Sequence, residues 1–209
     1  MKTKIKICGF TRPEDVECLK ELDVDFAGFI FVPESPRYLP IEAAREIIPR
    51  VPSGVGRVGV FADAAEDEIR EIIRAVPLDI LQFHGHESPA YCECFGLPYF
   101  KALRVKQAIN FHYLSLYNPL AFLLDTFVLK TLGGTGKTFN WDLAVEAKKQ
   151  RTPIILAGGL TPENVAGAIR KVRPWGVDVS SGVESRPGIK DHEKIRVFVE
   201  SVRNAEKTP

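Results

Sequence analysis

Eight short apolar runs recur along the chain, and they constrain its fold more than any other feature. They lie at 4–8, 25–31, 56–61, 79–83, 99–104, 121–126, 153–157 and 176–180. Most are nearly continuous in apolar residues, as is typical of strands that are covered on both faces. The runs therefore predict buried parallel strands separated by longer connections.

Amphipathic stretches with helix start signals lie between these runs. After the first run, Thr11 is expected to cap a helix, with Pro13 in its first turn and Glu14 completing a T-x-x-E capping box. The segment Thr161–Asn164 repeats this start signal. Further helices are predicted at 41–48, 66–73, 141–147 and 192–202. Only 105–120 is poorly periodic, which indicates a short or irregular helix.

Eightfold alternation of strand and helix predicts a parallel sheet with helical crossovers, and eight units close a (β/α)₈ barrel. A doubly wound sheet is the alternative, but it usually needs only five or six strands. The sequence has no linker-like or low-complexity segment. We therefore expect a single TIM-barrel domain over residues 1–209.

Composition and charge argue against a nucleic acid or a membrane as the partner of this chain. Lys and Arg number 28 against 27 Asp and Glu, a net charge of +1, which argues against a strongly basic nucleic-acid binder. No apolar run approaches the roughly 20 residues that a membrane-spanning helix needs, and the N-terminus lacks the apolar core of a secretory signal. The four cysteines have no metal or redox spacing. We expect a cytoplasmic protein with reduced thiols and with neither a nucleic acid nor a membrane as partner.

In a barrel of this kind the active site lies at the carboxyl ends of the strands. Gly158 and Gly159 follow the seventh run, and Ser180, Ser181 and Gly182 follow the eighth. Glycines let backbone N–H groups approach a phosphate, and serine hydroxyls add donors. Tight turns alone would also explain the glycines. Because loops seven and eight form phosphate sites in many barrels, a phosphate site is the better interpretation.

The segment 133–138, GGTGKT, resembles part of a nucleotide-binding P-loop. The full pattern needs a glycine where Thr131 stands, so nucleotide hydrolysis is disfavoured. We interpret the segment as a flexible glycine loop over the site, and Gly134 is its candidate phosphate-binding residue. Asn140 is expected to cap the helix that follows.

Cys8 and Asp125 carry the strongest chemical signal. Cys8 ends the first run, where a nearby helix N-terminus would favour the thiolate; a small core residue is the plainer alternative. Asp125 ends the sixth run, AFLLD, where a partly dry site would favour the protonated acid; a structural acceptor is the alternative. An acid and a base in one pocket suit proton-transfer chemistry.

Motifs in series then identify a family. The segments are KIKICGFTRPEDV, DFAGFIFVPESPRYL, VGVFAD, LQFHGHE, FLLDT, GGTGKTFNW, ILAGGLTPENV and GVDVSSGVESRPGIKD. Together they resemble the phosphoribosylanthranilate isomerases of tryptophan biosynthesis, in order, from residue 4 to about residue 200. Each fragment is modest alone, but eight in series are highly specific.

The resemblance implies a single barrel that needs no metal or organic cofactor. It implies conversion of N-(5-phosphoribosyl)anthranilate to 1-(2-carboxyphenylamino)-1-deoxyribulose 5-phosphate, an Amadori rearrangement. Cys8 would be the general base and Asp125 the general acid. Arg37, in SPRY, would face the anthranilate part, while Gln82 and Asp63 would line or support the pocket. The glycine loops and the Ser180–Ser181 turn would hold the phosphate.

Two alternatives remain beside this interpretation. An aldose–ketose isomerase of histidine biosynthesis would place an aspartate on the first strand, where this chain has Cys8. A noncatalytic barrel that binds a phosphorylated ligand would keep the glycine loops without needing Cys8 and Asp125. We expect a phosphorylated small molecule as substrate, a monomer or homodimer, and a structural role for His84.

Overall fold

A computed structural model describes residues 2–104, 111–125, 141–147 and 152–207. Within these residues eight parallel strands close a barrel in the order β1 to β8. They are β1 (Lys4–Cys8), β2 (Phe26–Ile30), β3 (Gly56–Phe61), β4 (Ile80–Phe83), β5 (Tyr99–Arg104), β6 (Ala121–Asp125), β7 (Ile154–Ala157) and β8 (Gly176–Val179). The predicted (β/α)₈ barrel is confirmed, and each strand lies within about one residue of its predicted bounds.

Helices connect the strands on the outside of the barrel. They are α1 (Pro13–Glu17), α2 (Ile41–Ile47), α3 (Glu66–Ala75), α4 (Pro89–Glu93), α5 (Phe111–Leu114), α6 (Trp141–Ala147), α7 (Val165–Val172) and α8 (His192–Lys207). Of the segment 105–120, predicted to hold a short or irregular helix, residues 105–110 lie outside the described residues. Asn140, the predicted cap of α6, lies outside the described residues.

Two apolar clusters surround and fill the barrel. The larger cluster joins outward strand residues such as Ile7 and Phe29 to helix residues such as Ile69 and Phe198. The smaller one contains no helix residue and therefore lies inside the barrel. Its buried members are Val58, Ile80, Phe100, Ala102, Ala121, Leu123, Ile155 and Ala157. Side chains alternate between the two clusters along each strand because successive residues face opposite sides of a sheet.

The helix prediction fails in detail at α1. Thr11 does not cap it: Arg12 holds the cap position, and no side chain makes a capping hydrogen bond. The Thr11 hydroxyl instead donates to the carbonyl of Gly188. Gly188 lies in a hairpin formed by β9 (Glu184–Arg186) and β10 (Ile189–Lys190), which the sequence analysis did not predict. A tertiary contact therefore replaces the local capping box.

The last helix anchors the barrel. Residues Ile195, Phe198, Val199, Val202 and Ala205 of α8 are buried at helical spacing. Arg203 donates to the carbonyl of Thr3 at 2.7 Å, which ties the end of α8 to the start of β1. Among residues 2–104, 111–125, 141–147 and 152–207, no helix is both long and apolar enough to span a bilayer.

We predict that Phe198→Ala lowers the free energy of unfolding by about 3–5 kcal/mol, because it removes a fully buried ring and leaves a cavity. Val197→Ala is the matched control, since Val197 lies on the same helix and is 37% exposed. It should change stability by less than about 0.5 kcal/mol. Urea-induced unfolding of both variants measures the difference; equal losses would contradict the packing assigned to α8.

Candidate active site

Cys8 ends β1 and faces the barrel interior, where only 5% of its surface is exposed. Gly28 of β2 lies opposite it in register. A Cβ atom at position 28 would lie 2.8 Å from the Cys8 sulfur and 3.1 Å from the Lys6 ammonium. The missing side chain of Gly28 therefore leaves the space in which the thiol and the ammonium meet.

Lys6 and Asp178 form an ion pair inside the barrel, next to the thiol. The Lys6 Nζ to Asp178 Oδ1 distance is 3.0 Å, and Lys6 is 1% exposed. Burial acts to lower the pKa of Lys6, but Asp178 and Cys8 outweigh it and raise that pKa. Burial raises the pKa of the Cys8 thiol, which Lys6 opposes and Asp178 reinforces. The interior thus holds a stable cation beside a thiol that is otherwise hard to ionise.

The loop after β1 separates Cys8 from α1, which begins only at Pro13 and has five residues. The favourable charge on the thiol comes from two lysines, Lys6 and Lys190, both of which act to lower its pKa. A contribution from a helix N-terminus stays a prediction.

Asp125 ends β6 and belongs to a chain of three polar side chains. The Nε2 atom of His84 lies 3.1 Å from Asp125 Oδ2, and Gln82 Nε2 lies 3.2 Å from His84 Nδ1. When Gln82 donates to Nδ1, the ring hydrogen sits on Nε2 and is donated to Asp125. Gln82 Oε1 is buried and has no hydrogen-bond partner within the described part of the chain. These contacts fix the orientation of the carboxyl group.

Arg37 is delivered to the rim of the barrel by a turn in the loop after β2. Its Nε and Nη2 atoms donate to the two carboxylate oxygens of Glu184 at 2.7 and 2.6 Å. Lys190 Nζ also donates to Glu184 at 2.9 Å, and to the carbonyl of Cys8 at 2.5 Å. Burial acts to raise the pKa of Glu184, but Arg37 and Lys190 outweigh it and lower that pKa. Two cations therefore share one carboxylate beside Cys8.

The loops after β7 and β8 approach each other closely at the predicted phosphate site. A Cβ atom on Gly182 would lie 2.0 Å from the carbonyl oxygen of Leu160, so no larger residue fits. Gly158 and Gly159 adopt φ angles of 81° and 67°, in the left-handed region that glycine favours. Ser180 Oγ is buried and has no hydrogen-bond partner among the residues described here. Ser181 begins a short 3₁₀ helix that ends at Val183.

Asp63 lies near this rim but is held by the loop after β4. It accepts a hydrogen bond from the backbone N–H of His86 at 2.5 Å, and its side chain is 54% exposed. Hydrogen bonds from His86 lower its pKa. Gln82 and Asp63 were both expected to line or support the pocket. Gln82 contacts His84, which in turn contacts Asp125. Asp63 instead accepts a hydrogen bond from the loop after β4. Gly134 lies outside the described residues.

Three charged residues near Cys8 were not predicted from the sequence: Lys6, Asp178 and Lys190. One signal for Lys6 was available, because a lysine inside the run KIKIC shares the face of Cys8 two residues later. Asp178 similarly interrupts the run GVDVS. No comparable signal marks Lys190, since its position depends on the hairpin of β9 and β10.

Comparison with known proteins finds relatives that match nearly the whole chain. A family model described as N-(5'-phosphoribosyl)anthranilate (PRA) isomerase matches residues 5–201. An N-(5'-phosphoribosyl)anthranilate isomerase of Pseudomonas fluorescens Pf0-1 is 51% identical over 200 residues, covering 95% of this chain and 97% of that protein. A relative of the same name from Dechloromonas aromatica is 44% identical over 210 residues and covers both chains fully, at 100% each.

Solved structures give the same result. The phosphoribosyl anthranilate isomerase of Thermotoga maritima superposes with a TM-score of 0.85 at 38% identity, covering 97% of this chain and 99% of that one. A complex of such an enzyme with reduced 1-(o-carboxyphenylamino)-1-deoxyribulose 5-phosphate superposes with a TM-score of 0.82 at 35% identity, with the same coverage. The family model, the relatives and the solved structures each match nearly the whole chain, and the chain belongs to the N-(5'-phosphoribosyl)anthranilate isomerase family.

Proposed function

We propose that this chain converts N-(5-phosphoribosyl)anthranilate to 1-(2-carboxyphenylamino)-1-deoxyribulose 5-phosphate, a step of tryptophan biosynthesis. The observation that carries the proposal is the placement of Cys8 and Asp125 at the carboxyl ends of β1 and β6, on the same rim as the loops after β7 and β8. A relative whose structure holds a reduced form of this product supports the choice of substrate.

Asp125 is the general acid in this proposal. Its protonated carboxyl group gives a proton to the ribose ring oxygen, the bond from that oxygen to C1 breaks, and the anthranilate nitrogen forms a protonated imine. His84 holds Oδ2, which leaves Oδ1 to carry the transferred proton. The hydrogen bond from His84 also stabilises the carboxylate that remains, because a charged acceptor strengthens it.

Cys8 is the general base. Its thiolate removes the proton from C2; the S–H bond forms, and the C–H electron pair becomes the C1=C2 bond of an enolamine while the imine nitrogen is neutralised. The enolamine then tautomerises to the ketone. The sulfur lies against Gly28, where no side chain blocks it. Each positioned proton transfer contributes about 10² to 10⁴-fold to the rate.

Arg37, Gln82 and the glycine loops bind the substrate. Glu184 uses the Nε–H and one Nη2–H of Arg37, so the remaining N–H groups of the guanidinium are available to the anthranilate carboxylate. Gln82 Oε1 accepts a ribose hydroxyl, which supplies the partner that this buried atom lacks. Ser180 Oγ and the backbone of Gly158, Gly159, Ser181 and Gly182, with Gly134, donate to the phosphate. Asp63 supports the pocket from the loop after β4.

The function is tested by incubating the purified full chain with phosphoribosylanthranilate in the presence of EDTA and following the loss of substrate fluorescence. We expect turnover without added metal or organic cofactor. A well-folded protein that binds a product analogue but does not turn the substrate over would instead indicate the noncatalytic barrel.

We predict that Cys8→Ser and Asp125→Asn each lower kcat by at least about 100-fold, because each removes one proton-transfer group. Binding of a product analogue should persist in both. Cys94→Ser and Asp67→Asn are the controls, since both residues are exposed and lie outside the rim. Steady-state kinetics and analogue titration measure the two effects; a rate near that of the unsubstituted enzyme would reject that residue's role.

We predict that Gly182→Ala raises KM by about tenfold or more, because the added methyl group must separate the loops after β7 and β8. Gly167→Ala is the control: neither glycine has a left-handed φ, and the added methyl group of Gly167 would make only ordinary contacts, 3.6 Å or more from Trp141. The KM values and inhibition by inorganic phosphate are measured for both. Equal KM values in the two variants would remove Gly182 from the phosphate site.

A further inference from the structure

Lys6 is a buried lysine for which the proposed reaction has no assigned role. It lies two residues before Cys8 on β1, so both side chains face the barrel interior. Asp178 of β8 lies opposite Lys6 in register and binds its ammonium at 3.0 Å. A lysine that is 1% exposed is rare unless it is paired, and this one is held in a fixed position by its partner.

The ammonium of Lys6 also lies beside the sulfur of Cys8. Both atoms lie against the bare Cα of Gly28, at 3.1 and 2.8 Å from where a Cβ would stand. The positive charge of Lys6 acts on the thiol to lower its pKa. Strand register produces this convergence, because Gly28 pairs with Cys8 on one side of β1 and Asp178 pairs with Lys6 on the other.

Other charges also face the thiol. Lys190 of β10 donates to the Cys8 carbonyl, and Arg37 lies close enough to interact electrostatically with Cys8. Burial makes the largest contribution to the thiol pKa and raises it, while Lys6 makes the largest opposing contribution, ahead of Lys190. Asp178 acts in the opposite sense to Lys6. The two members of the buried pair therefore have opposite effects on the same sulfur.

We propose that Lys6 is the fixed counter-ion of the Cys8 thiolate, held in place by Asp178 and given access to the sulfur by Gly28. The proposal rests on the function proposed above. Lys6 is a positioning residue and exchanges no proton: when the thiolate takes the C2 proton of the substrate, an S–H bond forms and the ammonium keeps its ion pair with Asp178.

If the Lys6–Asp178 ion pair were purely structural, the titration of Cys8 would respond differently to its removal. Replacing such a pair with neutral groups would change stability and leave the titration of Cys8 where it was. A counter-ion predicts shifts of opposite sign. Removing the negative charge of Asp178 leaves the thiolate as the only close anion facing Lys6, and this lowers the pKa of the Cys8 thiol. Removing Lys6 raises the pKa of the same thiol.

The experiment compares Asp178→Asn with the double variant Lys6→Met/Asp178→Asn in the full chain. Asp178→Asn is common to both, so neither leaves a buried carboxylate without a cation, and the comparison isolates the charge of Lys6. Thiolate formation is followed by absorbance near 240 nm, and the same scan with Cys8→Ala added is subtracted. That subtraction removes the absorbance of the other thiols, including those of Cys18 and Cys92, whose pKa values burial raises to about 11 and about 12.

We expect the Cys8 thiol of the double variant to titrate about one pH unit or more above that of Asp178→Asn. The rising limb of kcat/KM against pH should move upward by the same amount, so that the rate on the acidic side falls about tenfold. The double variant Lys101→Met/Glu87→Gln is the control, because this ion pair is equally buried but its lysine lies on the outer face of β5. It should leave the titration of Cys8 unchanged.

Equal thiol titrations in the two Asp178 variants would overturn the proposal, as would a loss of kcat without any shift of the pH profile. Gly28→Ala gives an independent measurement in a chain that keeps every charge. Its methyl group should separate the sulfur from the ammonium and raise the thiol pKa. The thiol titration needs no substrate. If the proposed isomerase activity is wrong but the counter-ion proposal is right, the Cys8 titration shifts as expected and no turnover is seen.

Discussion

Pairing between the first and the last strand is the constraint on which the rest of this barrel depends. β1 pairs with β8 from Lys4 opposite Gly176 to Ile7 opposite Val179, and with β2 on its other side. A slip of one residue would exchange the inner and outer faces of β1. Lys6 would then enter the apolar shell beneath the helices and lose Asp178. Because an unpaired buried charge is strongly unfavourable, the Lys6–Asp178 pair favours one register.

That register also determines what the active rim contains. With β1 fixed, Cys8 lies between Gly28 and the end of β8, and the hairpin after β8 places Lys190 under the carbonyl of Cys8. Below this polar layer the interior is filled by the smaller apolar cluster, which includes Ile80, Phe100 and Leu123. The site is therefore dry on one side and charged on the other, and in such a site a few fixed charges act strongly.

The sequence predicts the barrel well because its strands are local features. Each apolar run is buried on both faces, so composition alone marks its bounds, and position along the run then places Cys8 and Asp125 at carboxyl ends. Contacts between distant segments are less visible. Thr11 bonds to Gly188 instead of capping α1, and Arg37 meets Glu184, 147 residues away. No spacing rule predicts either contact, because each depends on a hairpin whose position only the closed barrel defines.

Local charge reconciles a nearly neutral chain with an anionic substrate. The whole chain has a net charge of +1, so its surface gives little long-range attraction. At the junction of β1 and β8, however, Arg37, Lys190 and Lys6 face two carboxylates, those of Glu184 and Asp178. These three cations and two carboxylates leave a net charge of +1 beside the Cys8 sulfur and next to the loop of Ser180. Under the proposed function, electrostatic selection for a substrate with a phosphate and a carboxylate resides in this buried cluster, where salt screens the charges far less than on a basic surface.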